Sequence, residues 1–133
     1  MYNPLFELDT FGAIRDHRAL ERCVEYMLEA LTLVNLEYLR HFRPPALFYS
    51  GVRYKDDSRD KFDRWRDIPR VIRAGWGDCD DLVPWRLAEL RRSGVAAKAV
   101  VIGTRNGENL YHTYVSLPDG RTEDPSRILG MRG

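Results

Sequence analysis

Three residues have the types that thiol chemistry demands, in an order that a small domain can bring together. Cys79 stands in "GWGDCDDLVPW" (75–85), His112 in "LYHTYV" (110–115) and Asp124 in "TEDPS" (122–126). A thiol hydrolase needs a cysteine whose thiolate is stabilised, an imidazole that takes its proton, and a third group that orients the imidazole. Each residue also has a plain structural reading. Cys79 can be a buried thiol, His112 a half-buried strand histidine bonded to a carbonyl, and Asp124 before Pro125 a turn former. Order, element type and spacing together favour the chemical reading over the three separate ones.

The predicted elements place these residues usefully. Cys79 lies just before a helix expected over about Asp81 to Ser93, where unpaired N–H groups and the positive end of the helix dipole favour a negative sulfur. His112 falls inside the strand "NLYHTYVSL" and Asp124 at the end of the next, "RTEDP". Two adjacent antiparallel strands joined by the "PDG" turn bring positions 112 and 124 side by side, and packing of the helix on the sheet brings Cys79 to His112. An ion pair that exchanges a proton between Cys79 and His112 is the expected state.

The aspartates beside Cys79 oppose its ionisation unless they are otherwise engaged. Asp78 or Asp81 is expected to cap free N–H groups at the helix start, and Asp80 to meet an arginine, either from the cluster Arg64, Arg66, Arg70 and Arg73 or at Arg86. The glycines before them give the backbone freedom on its approach. Pro84 is awkward, because its ring lacks an N–H and clashes with the carbonyl four residues back. Either the helix begins nearer Asp80 or Asp81, which weakens the dipole's hold on Cys79, or it is kinked.

The scaffold is read from periodicity. From about Ile14 to His41 the residues Leu20, Cys23, Val24, Met27, Leu28, Leu31, Val34 and Tyr38 recur at spacings of three and four, the mark of a helix with one buried stripe. Asn35 sits on its margin as a hydrogen-bonded polar residue, Cys23 on the stripe as a small hydrophobe, and "RPP" (43–45) ends the helix. "PALFYSGVRYKDD" reads as extended or looping with anchors Phe48, Tyr49 and Tyr54. "SRDKFDRWRDIPRVIRAG" reads as one or two short helical turns with Phe62, Trp65, Ile68, Val71 and Ile72 inward and Gly75 as a stop. After Gly94 the period becomes that of strands: "VAAKAVVIG", "NLYHTYVSL" and a short "RTEDP", with turns at "RNGEN" and "PDG". The "DPSRILGMRG" tail wraps back or frays. Helices first and an antiparallel meander second is the α+β class.

A chain of 133 residues is one domain's worth, with 44% hydrophobic and 31% charged residues in an ordinary globular balance. A formal charge of +1 gives no reason to expect nucleic acid. No apolar run approaches the roughly 20 residues that cross a bilayer, so no membrane partner is expected. The N-terminus shows no secretory signal, so cytoplasmic synthesis with two free thiols, Cys23 and Cys79, is the expectation. A metal site from Asp78, Cys79, Asp80, Asp81 and His112 lacks zinc-ligand spacing.

"GWGDCDDLVPWRLAELRRSGVAAKAVVI" followed by "YHTYVSLPDGRTEDPSRILG" resembles the transglutaminase-like branch of the papain-like cysteine hydrolases, especially the short versions of tailed phages and prophages. The resemblance covers about residues 68 to 130, with "GDCDDL", a later strand His and then "DP" as its specific part. It implies Cys79 as nucleophile, His112 as general base and then acid, Asp124 as orienter, an antiparallel sheet on the Cys-bearing helix, and no metal or organic cofactor. The implied chemistry is acyl transfer through a thioester. The Cys79 N–H is the natural first oxyanion donor, and Tyr49, Tyr54 and Trp76 are candidates for the second. The expected substrate is a peptide or protein amide, in cell-wall peptide or a phage structural protein, with virion association as the corresponding location. A transglutaminase that forms such bonds, and a virion assembly or adaptor module that keeps the fold with an inactive triad, are the competing readings.

Overall fold

The computed structural model describes residues 7, 16–56, 64–103 and 111–132. It is a small α+β domain with two small sheets. Helix α1 (His17–His41) starts at an Asp16 cap that accepts the Arg18 N–H and ends ahead of "RPP". Its buried stripe runs through Val24, Leu28, Thr32, Asn35 and Leu39, at spacings of three and four. Val34, expected inward, is 53% exposed, and Asn35, expected on the margin, is fully buried. The burial has a physical reason. Asn35 Oδ1 accepts the Ile68 N–H at 3.0 Å, which satisfies one of the amides left over at the start of a helix.

That helix is α2 (Ile68–Ala74), with Asp67 as its cap, Pro69 in its first turn and Gly75 closing it at φ +79. Ile68 and Val71 face the core, whereas Ile72, expected inward, is 40% exposed. Phe62 and the "RNGEN" turn lie outside the described residues.

A feature that periodicity does not reveal is a two-residue parallel pair, β1 (Arg53–Tyr54) with β2 (Trp76–Gly77). It fixes the approach to Cys79, because Lys55 N–H bonds the Gly77 carbonyl and Arg53 N–H the Gly75 carbonyl. Gly77 therefore serves close packing rather than freedom. A Cβ there would stand 3.0 Å from the Asp81 Cβ and 3.2 Å from Leu82 Cδ2.

Helix α3 (Cys79–Arg92) is the centre of the domain, with Leu82, Val83, Trp85, Leu87 and Ala88 all fully buried. One side packs on α1, and another on β3 (Lys98–Gly103) and β4 (Tyr111–Ser116). These strands form an antiparallel meander with β5 (Thr122–Glu123), in the order β3-β4-β5. The tail wraps back as α4 (Pro125–Ile128), which places Leu129 in the core beside Trp85 and Ile68. Among the described residues no helix is long and apolar enough to cross a membrane.

Candidate active site

The start of α3 is built by its aspartates. Asp78 is the cap, and its carboxylate accepts the Asp80 N–H at 3.1 Å; Asp81, three residues on, returns the bond by accepting the Asp78 N–H at 3.1 Å. This reciprocal capping box fixes the first helical residue as Cys79. The helix therefore does not begin at Asp80 or Asp81, and Pro84 sits inside it. Pro84 has no N–H for the Asp80 carbonyl, so the regular ladder is interrupted one turn below the sulfur.

Asp81 also carries the link to the preceding segment. Its Oδ1 accepts the Arg66 backbone N–H at 2.6 Å, and the Arg66 guanidinium lies 3.4 Å from Oδ2. Burial pushes the Asp81 carboxyl up to about 6, against the opposing pull of the N–H donors at Arg66 and Asp78.

Of the arginines considered for Asp80, Arg66 reaches Asp81, and Arg86 reaches Glu123 and Glu89. Asp80 is 2% exposed, and its Oδ2 accepts the Tyr111 hydroxyl at 2.9 Å. Its Oδ1 faces the Cys79 sulfur at 4.0 Å.

His112 and Asp124 come together across the end of β5, diagonally and not as register partners, because Val115 pairs with Glu123; Nε2 and Oδ2 are 2.8 Å apart. Both side chains are about four-fifths buried, at 17% and 20% exposure. A carboxylate only accepts, so the Nε2 hydrogen is held toward Asp124 and Nδ1 is left as the basic nitrogen. Asp124 is at the same time the cap of α4, its Oδ1 accepting the Arg127 N–H at 3.4 Å. Along β4, alternation sets Tyr111, Thr113 and Val115 on one face, and His112 and Tyr114, whose rings stack, on the other.

The three candidate oxyanion donors separate by environment. Tyr49 is 88% exposed. The Trp76 ring lies under two cations, the Arg66 guanidinium at 4.3 Å and the Lys55 ammonium at 4.9 Å. Tyr54 is half-buried, and its phenol is pushed up to about 12, first by burial and then by the negative charges of Asp56, Cys79, Asp78 and Asp80. Its hydroxyl therefore lies in the field of the sulfur and stays a donor across the neutral range.

Two parts of the site are absent from the sequence reading. One is Tyr111. The other is the pair Arg86–Glu123, two contacts of 2.7 and 3.2 Å that tie α3 to β5 one residue before Asp124. Arg86 further reaches Glu89 at 3.2 Å, and Glu89 accepts the Trp85 indole N–H and the Leu47 N–H. The period of two gives the signal in both cases, because the neighbour of an active strand residue points at the helix behind it. A depression of about 410 Å³ lies further along α3, between Arg86, Leu90 and Leu117, and its lining includes none of Cys79, His112 and Asp124.

Among the described residues no three His, Cys, Asp or Glu side chains gather as a metal would need. In comparisons with protein-family models, curated proteins and solved structures, the chain matches none.

Proposed function

We propose that this protein is a cysteine-dependent acyl-transfer enzyme that hydrolyses amide or peptide-like bonds, with Cys79 as nucleophile, His112 as base and then acid, and Asp124 as orienter. The observation that carries the reading is the His112 Nε2 to Asp124 Oδ2 bond at 2.8 Å; the approach of Cys79 to His112 belongs to the proposal itself, since the face of β4 that meets α3 carries Tyr111 and Val115. That bond leaves Nδ1 of a correctly tautomerised imidazole as an acceptor for the thiol proton.

The chemistry follows from that arrangement. The Sγ–H bond breaks and its proton passes to Nδ1 of His112, while the sulfur attacks the amide carbonyl carbon. Negative charge develops on the carbonyl oxygen, where the Cys79 N–H and the Tyr54 hydroxyl are the proposed donors. His112 then hands its proton to the leaving amine as the C–N bond breaks. Water cleaves the thioester by the same steps in reverse, His112 taking its proton. The substrate class is a peptide or protein amide, in cell-wall peptide or in a phage structural protein.

Treatment with a thiol-directed electrophile near neutral pH, read by mass spectrometry, tests the reading. Selective labelling of Cys79 over Cys23, lost on unfolding, is the expected result. Equal slow labelling of both thiols contradicts it and favours a binding or adaptor module. Transfer to an added amine instead of water would mark a transglutaminase.

A further inference from the structure

The buried carboxylate beside the sulfur has no role in the scheme above. Asp80 is not needed to cap α3, which Asp78 and Asp81 accomplish between them. It is nevertheless 2% exposed, and burying a carboxylate is costly unless it is bonded. One group that bonds it is the Tyr111 hydroxyl at 2.9 Å, from the strand that carries His112 one residue later. That bond anchors one carboxylate oxygen and leaves the other 4.0 Å from Cys79 Sγ, within reach of a long S–H···O contact.

A thiol can donate to that oxygen, whereas a thiolate is repelled by it. We propose that Asp80, anchored by Tyr111, is a positioning residue that holds the Cys79 sulfur in place and raises the cost of its ionisation. The inference rests on the reading of Cys79 as nucleophile. Ionisation then happens by transfer to His112 Nδ1: the S–H bond breaks, an N–H bond forms, and no other group changes its proton.

Negative groups around the sulfur add to that cost. On its own helix Asp78 and Asp80 are negative. From β1 and the residues after it come the Tyr54 phenol, Lys55 and Asp56, and from β4 come Tyr111 and His112. Among the described residues, Lys55 and Arg66 lie over the Trp76 ring, and Arg66 also reaches Asp81.

The test is the pH dependence of Cys79 alkylation by iodoacetamide in the Cys23→Ser background, compared with the same background carrying Asp80→Asn. The amide keeps an oxygen for Tyr111 and removes the charge. We expect the midpoint to fall by about one pH unit and the rate at pH 7 to rise about tenfold, because the thiolate is the reactive form. Asp80→Ser, small and tolerated at a helix start, repeats the test should the Asn variant fail to fold, and the same direction is expected. A midpoint unchanged or raised in the folded variant overturns the proposal. Failure of the His112 pairing is read separately, in His112→Ala, and leaves the Asp80 comparison interpretable.

Discussion

Asp124 Oδ2 lies 2.8 Å from His112 Nε2 while the same carboxylate caps α4 through Oδ1. One side chain thus fixes both an imidazole and the start of a helix, and the two roles separate by substitution. Asp124→Asn keeps the capping oxygen and loses the charge, so stability should hold within about 0.5 kcal/mol while turnover falls on the order of 100-fold. Asp124→Ala should lose the same activity and about 1 kcal/mol of stability besides. Urea melts beside rate measurements on a peptide substrate check both; loss of stability without loss of rate would make Asp124 a cap only.

Arg86 and Glu123 form a pair about four-fifths buried, 22% and 21% exposed, that holds β5 against α3. Replacing Arg86 with Met strands two carboxylates, Glu123 and Glu89, in a poorly solvated place. We expect a cost of about 2 kcal/mol, below the value for a fully buried pair because water still reaches both groups. Arg86→Met combined with Glu123→Met should recover part of it. A cycle showing simple additivity would mean that the pair contributes nothing jointly.

Asp81 gives a pH dependence of known sign. Its carboxyl is raised by burial from an ordinary 3.8 to about 6, so between those values the folded chain binds more protons than the unfolded one. The resulting stabilisation is present below about pH 4 and is lost as pH rises through about 6. Wild type should therefore lose stability relative to Asp81→Asn across this window, by on the order of 2 kcal/mol. Chemical denaturation of the two proteins at pH 4 and 7.5 measures the difference; a constant gap would show that the N–H donors cancel burial, and a gap of opposite sign that they outweigh it.

Gly77→Ala should be costly although Gly77 sits at no unusual dihedral. Its Cβ would stand 3.0 Å from the Asp81 Cβ, inside the capping box. We expect about 2 kcal/mol lost, as for other insertions into packed sites, together with altered labelling of Cys79. A substitution that leaves both unchanged would show that β2 can retreat from α3.

Much of the scaffold was legible because burial leaves a period. The α1 stripe, the three-stranded meander and the "RPP" stop each follow from repeats of 3.6 or 2 or from proline chemistry. What escaped was set by tertiary partners. Val34 and Asn35 exchange expected places because the α2 amide at Ile68 needs an acceptor inside the core. The β1–β2 pair is two residues long, too short to show a period. At the candidate site, His112 meets Asp124 because the meander brings the end of β5 beside β4, although the two are not register partners, and "GDCDD" signals a helix start. The division of labour among the aspartates was not legible. It depends on which carboxylate each of Arg66 and Tyr111 can reach, and that is decided by the packing of β4 and the 64–67 segment on α3.

The central claim is that His112 takes the proton of Cys79, and the most direct measurement is the pH profile of Cys79 alkylation in wild type and His112→Ala. We expect the profiles to differ, with the slope and midpoint of wild type altered by the imidazole and the variant titrating as a lone thiol. Identical profiles in two folded proteins would contradict the pairing, and with it the proposed mechanism.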